Sequence, residues 1–92
     1  MIGVVMGKVK KPYRLENGKS GVSSRVSLFV GKYDSIPEDD QVGEGNQYIE
    51  VKCPVNISDQ LNVNDELFVE LDDGKTRIKS AMLKTSDGYM PL

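Results

Sequence analysis

Residues 22 to 30 read Val22-Ser-Ser-Arg25-Val26-Ser-Leu28-Phe29-Val30, a strict alternation that places Val22, Val26, Leu28 and Val30 on one side and Ser23, Arg25, Ser27 and Phe29 on the other. A period of two over nine residues is the pattern of a half-buried β-strand and has no helical reading. The strand is preceded by Arg14-Leu-Glu-Asn-Gly-Lys-Ser-Gly21, in which Asn17-Gly18 offers the positive-φ pair that a tight hairpin turn prefers. A first strand should therefore run over residues 2 to 11, where Ile2, Val4, Val5, Met6 and Val9 are mixed with two glycines, Gly3 and Gly7, that suggest a bulge or sharp bend. Downstream, Tyr33 to Asn46 is acidic and interrupted by Pro37, Gly43 and Gly45, which reads as a long loop. Residues 47 to 53 alternate again, with Ile49, Val51 and Cys53 inward and Tyr48, Glu50 and Lys52 outward. Pro54 ends that strand, and the stretch around Ser58 to Leu61 has room for one or two helical turns, with Asn56 or Ser58 as a side-chain cap. Residues 65 to 71 bury Leu67, Val69 and Leu71, and Asp72-Asp73-Gly74 signals a hairpin into a fifth run from Thr76 to Lys84. The expected class is all-β: five strands, a short helical insert between strands three and four, and closure into a small barrel that hides the sheet edges. Residues 1 to 85 form this single domain, and residues 86 to 92, without any period, are expected to be a C-terminal arm.

Ninety-two residues with 38% apolar and 28% charged side chains suffice for one folded domain but not for two cores. Such a small domain buries a modest share of its surface, so a homodimer is expected. The start, MIGVVMGKVKK, runs from apolar to basic, the reverse of a signal peptide, and its apolar part is too short for a membrane span. A cytoplasmic protein with no membrane partner is expected. The single cysteine and the absence of histidine exclude an intramolecular disulfide, the common zinc modules and the Ser-His-Asp or Cys-His catalytic schemes. Cys53 has the inward parity of a small core residue. Glu38, Asp39 and Asp40 lack the spacing of a calcium loop, and Gly43-x-Gly45 lacks the strand-to-helix setting of a phosphate cradle. No catalytic residue, metal or cofactor is expected.

The net charge of −2 conceals a segregation. Residues 1 to 32 carry seven bases and one acid, residues 33 to 73 one base and twelve acids, and residues 74 to 92 four bases and one acid. Strand parity gathers Lys8, Lys10, Arg25, Phe29, Tyr48 and Lys52 on the outward face of the first three strands, with Tyr13, Arg14 and Lys19 in the adjoining hairpin. Cations that follow phosphates beside rings that stack on bases are what a single-stranded nucleic acid requires, each stacked base contributing about 1–3 kcal/mol. The outward Glu66 and Glu70 of the fourth strand would repel the same ligand. A competing reading assigns the chain to protein–protein interaction, through its acidic loop or an exposed strand edge.

Asn17-Gly-Lys-Ser-Gly-Val-Ser-Ser-Arg-Val-Ser-Leu-Phe-Val30 resembles the first hairpin and second strand of the OB-fold single-stranded-DNA-binding proteins of bacteria and their phages, where a Gly-Lys turn precedes an alternating strand. Leu61-Asn-Val-Asn-Asp-Glu-Leu-Phe-Val-Glu70 is similar to the segment leading into their fourth strand, with Asn64-Asp65 where Gly-Asp is typical. Asparagine tolerates the left-handed conformation that such a glycine adopts. The two segments cover about a quarter of the chain. The size is also similar to that of the small dimeric DNA-binding proteins of filamentous phages. The chain has no tryptophan and no acidic, glycine-rich tail of the kind that recruits partners in the bacterial family; Met90-Pro91-Leu92 stands at the end instead. The resemblance implies an OB-like barrel that coats single-stranded DNA in phage, plasmid or bacterial replication or recombination, with replication or recombination proteins as further partners.

Overall fold

The computed structural model describes residues 1–32 and 44–92. Six strands and one helical turn follow in the order β1 (Ile2–Arg14), β2 (Ser20–Lys32), β3 (Asn46–Lys52), α1 (Val55–Ser58), β4 (Glu66–Leu71), β5 (Ile78–Thr85) and β6 (Gly88–Pro91). They form one antiparallel sheet in the spatial order β3-β2-β1-β4-β5-β6. The all-β expectation holds, with two corrections. The sheet has six strands, because the expected C-terminal arm turns back at Ser86-Asp87 and pairs with β5 from Thr85↔Gly88 to Met82↔Pro91. It is also not a closed barrel. The end of β3, one edge of the curled sheet, approaches the residues just before β5 at a single parallel bridge, Lys52↔Arg77, marked by the hydrogen bond from Lys52 N to Thr76 O at 2.9 Å. The acidic loop expected from Tyr33 to Asn46 lies outside the described residues up to position 43.

The hairpin between β1 and β2 is closed by three residues. Leu15 N donates to Lys19 O at 2.7 Å and Gly18 N to Leu15 O at 3.0 Å, while Gly18 alone takes a positive φ, +84°. This is a type I turn followed by a left-handed glycine, so the expected Asn17-Gly18 positive-φ pair is corrected to Gly18 only. Asn17 contributes its side-chain oxygen, which accepts from Lys19 N at 3.0 Å. Asn64 does adopt the left-handed conformation, at φ +78°.

The core lies on the inner face of the sheet and is closed from one side by α1. Val5, Val26, Leu28, Val51, Leu67, Val69 and Ile78 come from the strands, joined by Ile57 and Leu61 from α1 and the turn after it. Each fully buried Leu or Val contributes on the order of 2 kcal/mol. The helix carries no side-chain cap. Pro54 stands at its N-terminal boundary and its carbonyl accepts from Ile57 N and Ser58 N, so neither Asn56 nor Ser58 is the cap. Ser58 is instead fully buried.

One irregularity decides which side chains reach which face. The register of β1 against β2 shifts between Val5↔Leu28 and Gly7↔Ser27, leaving Met6 as an extra residue. A β-bulge reverses the parity of everything that follows it relative to what precedes it. Beyond the bulge, Lys8 pairs with the buried Val26 and Lys10 with the buried Ser24, on the inner side, while Val9, Lys11 and Tyr13 pair with Arg25, Ser23 and Gly21 on the outer side.

Candidate nucleic-acid interface

The nine residues singled out by sequence fall into three groups. Lys8 and Lys10 leave the outer face, a correction that follows directly from the Met6 bulge. The Lys8 ammonium donates to Ser58 O at 2.9 Å and to Leu61 O at 2.7 Å. Ser58 ends α1 and its carbonyl also accepts from Leu61 N at 3.1 Å, while the Leu61 carbonyl belongs to the turn that follows, so the cation sits at the helix's negative end. Lys10 pairs with Asp59 at 2.8 Å, just beyond the same helix. Both lysines hold α1 against the sheet.

Arg25, Lys52, Phe29 and Tyr48 remain on the outer face in two cross-strand pairs. Arg25 lies opposite Lys52, and two rungs along, Phe29 lies opposite Tyr48. The Phe29 and Tyr48 rings are 5.6 Å apart at an interplanar angle of 54°, and Tyr48 is half exposed. Four residues separate Arg25 from Phe29, about 13 Å along an extended strand.

Tyr13, Arg14 and Lys19 belong to a two-stranded ribbon. Only Ile2, Gly3 and Val4 of β1 pair with β4, and β3 reaches only as far as Arg25 of β2, so the hairpin beyond those points stands alone. The Tyr13 ring lies across Gly21: a Cβ added there would come within 2.5 Å of the phenolic oxygen, so a side chain at that position would displace the exposed ring. Arg14 pairs with Ser20, on the opposite side of the ribbon from Tyr13, and Lys19 lies in the turn.

A groove of about 700 Å³ opens where the ribbon departs from the sheet, between the start of β2, the end of β3 and the first residues of α1. Tyr13, Leu15, Val22 and Val55 supply its apolar wall, and Arg25, Lys52 and Arg77 line it as well. Arg77 was not legible as part of the site, because its proximity to Lys52 depends on the curl of the sheet, which no local period encodes. Lys11 was assigned to no face, and the bulge brings it to the outer one. Asp72 positions Arg77: its Oδ1 accepts from Thr76 N at 2.9 Å and from Arg77 N at 3.2 Å. The Thr76 amide foremost, helped by the Arg77 amide and charge, holds the Asp72 carboxyl below the usual carboxylate range.

Three cations thus occupy adjacent positions. Arg25 is opposite Lys52 in the β2–β3 ladder, and Lys52 is bridged to Arg77. Like charges placed directly opposite one another across a ladder are destabilising. Among the described residues none of the three forms an ion pair; the pairs present are Lys10–Asp59, Lys79–Glu70 and Lys84–Glu66. The arrangement sets Arg25, Lys52 and Arg77 at the mouth of a groove with an aromatic wall, with Asp72 the acid close enough to feel the Arg77 charge. It offers no acid–base or nucleophilic pair: Cys53 at the groove's floor is buried, and that burial pushes its thiol up to about 11.

No helix among the described residues is long and apolar enough to cross a membrane. No family model, curated protein or solved structure matches the chain.

Proposed function

We propose that this protein is a non-enzymatic single-stranded-DNA-binding module, which seats the sugar-phosphate backbone against Arg25, Lys52 and Arg77 and stacks bases on Tyr13 at one end and on the Phe29–Tyr48 pair at the other. The observation that carries the reading is the juxtaposition of three like charges around one groove. A fold that tolerates such repulsion is compensated when a polyanion occupies the site. Neutralised phosphates release condensed counterions, and the exposed rings accept any base. The resemblance of residues 17–30 and 61–70 to OB-fold single-stranded-DNA-binding proteins supports the same reading, as does a ribbon whose Lys11, on the Tyr13 side, and Lys19, in the turn, extend the positive surface, whereas Arg14 faces the other side. Coating of DNA in a phage, plasmid or bacterial replication or recombination setting is the role that follows from it, with proteins of those processes as partners.

A fluorescence titration with labelled oligo-dT at several salt concentrations tests this. With three phosphates engaged, log K falls against log salt with a slope of about −2. Arg25→Glu lowers the affinity at low salt about tenfold or more, equivalent to at least about 1.4 kcal/mol, and makes the slope shallower. Superimposable curves for the two proteins would remove the groove from the site. Competition with oligo-U separates DNA from RNA preference.

A further inference from the structure

The outer face of the other half of the sheet, made by β1, β4, β5 and β6, has a different character and takes no part in the groove. One rung across it reads Ile2, Phe68, Met82, Pro91. The neighbouring rung reads Val4, Glu66, Lys84, Tyr89, with Glu66 and Lys84 joined by an ion pair of 3.1 Å and Phe68 and Tyr89 in edge contact at 6.4 Å. Ile2 is 52% exposed, Tyr89 44% and Phe68 41%, so the face is apolar and open. Its charges cancel: Glu66 and Glu70 on β4 are matched by Lys84 and Lys79 on β5. Neither a polyanion nor a strongly charged protein finds a complement here.

We infer that this face is covered by a second copy of the same chain, related by a two-fold axis that runs parallel to the strands over the boundary between β4 and β5. Such an axis lays β4 of one copy over β5 of the other and β1 over β6, keeping each residue on its own rung. Phe68 then meets the partner's Met82, a favourable sulfur–aromatic contact, and Ile2 meets the partner's Pro91. Val4 meets the partner's Tyr89, and Glu66 meets the partner's Lys84, twice over by symmetry. On these two rungs apolar positions face apolar positions and Glu66 faces Lys84, while Glu70, whose rung partner is Ser80, keeps its own chain's Lys79. This is the self-complementarity that an isologous interface requires. Two sheets packed in this way lie about 10 Å apart with their strands close to aligned. The Arg25–Lys52–Arg77 groove stays outside the interface, so the inference does not depend on the nucleic-acid reading.

Sedimentation equilibrium decides it. The wild-type protein is expected at twice its chain mass of 10.2 kDa. Glu66→Lys and Lys84→Glu each sediment as monomers with an unchanged far-ultraviolet circular dichroism spectrum, because each places like charges across the axis. Mixed in equal amounts the two variants dimerise again, because each restores the partner's missing opposite charge, whereas repair within one chain is impossible in the mixture. Phe68→Lys, which removes the apolar centre, is monomeric alone and in either mixture. A wild-type monomer at every attainable concentration, a dimer undisturbed by the charge reversals, or a mixture that stays monomeric would each overturn the inference.

Discussion

On the proposed reading, Lys52 occupies a position where the demands of folding and of ligand binding conflict. Opposite Arg25 and bridged to Arg77, it adds repulsion to the free protein and attraction to an anionic ligand. Lys52→Glu turns the cross-strand repulsion into an attraction, and the urea midpoint should rise by the equivalent of about 0.5 kcal/mol. Oligo-dT affinity should fall in the same variant; a loss of both stability and affinity would show that Lys52 is held by packing. Cys53 behaves oppositely, as a residue hidden from chemistry. With its thiol raised from 9.0 to about 11 by burial, the folded state holds the proton more tightly than the unfolded chain. The stabilisation this provides is complete below about pH 9 and is lost as the pH climbs toward 11. At pH 8 a disulfide-exchange reagent should leave the native thiol unmodified and titrate it fully in urea. Rapid stoichiometric reaction of the native protein would contradict the burial of Cys53 just beyond β3.

At the level of the elements, the sequence was most legible where alternation ran unbroken. Val26 and Leu28 point inward and Arg25 and Phe29 outward as their period requires, and Val51, Leu67 and Val69 follow the same rule in β3 and β4. Gly7 hinted at a bulge in β1, but a glycine does not say which residue is left over. Because that residue is Met6, the two lysines that seemed to belong with Arg25 belong with α1. Lys8→Ala should therefore cost about 1 kcal/mol of stability in urea melts, since a charged donor leaves the carbonyls of Ser58 and Leu61 to water, while oligo-dT binding is unchanged. An affinity loss without a stability loss would return Lys8 to the interface. The strand β6 was hidden for another reason. Four residues containing a glycine and a proline have no detectable period, and Gly88–Pro91 becomes a strand only because β5 offers a free edge. Phe68 was overlooked between two glutamates whose charge dominated the reading of β4, although its parity put it on the outer face.

The whole molecule is long for its chain. Its radius of gyration is 15.3 Å, against about 12 Å for a compact domain of this size, and its greatest extent is 49 Å. The thirteen-residue strands β1 and β2 span about 43 Å at 3.3 Å per residue and account for that length. The compact part is the sheet with α1 beneath it; the ribbon projects from it. Closure of the sheet into a ring was expected because exposed edges are a liability; instead β6 is shortened to four residues with a proline, while β3, paired with β2 along its length, is bridged on its other side at its last residue. That single bridge has a mechanical meaning. The end of β3 and the start of β5 meet across a seam stitched by one backbone contact and bordered by three positive side chains, so an anion lodged there would act as the missing rivet. On the proposed reading occupancy and rigidity should rise together, with hydrogen exchange at the Lys52 amide slower in the loaded protein than in the empty one.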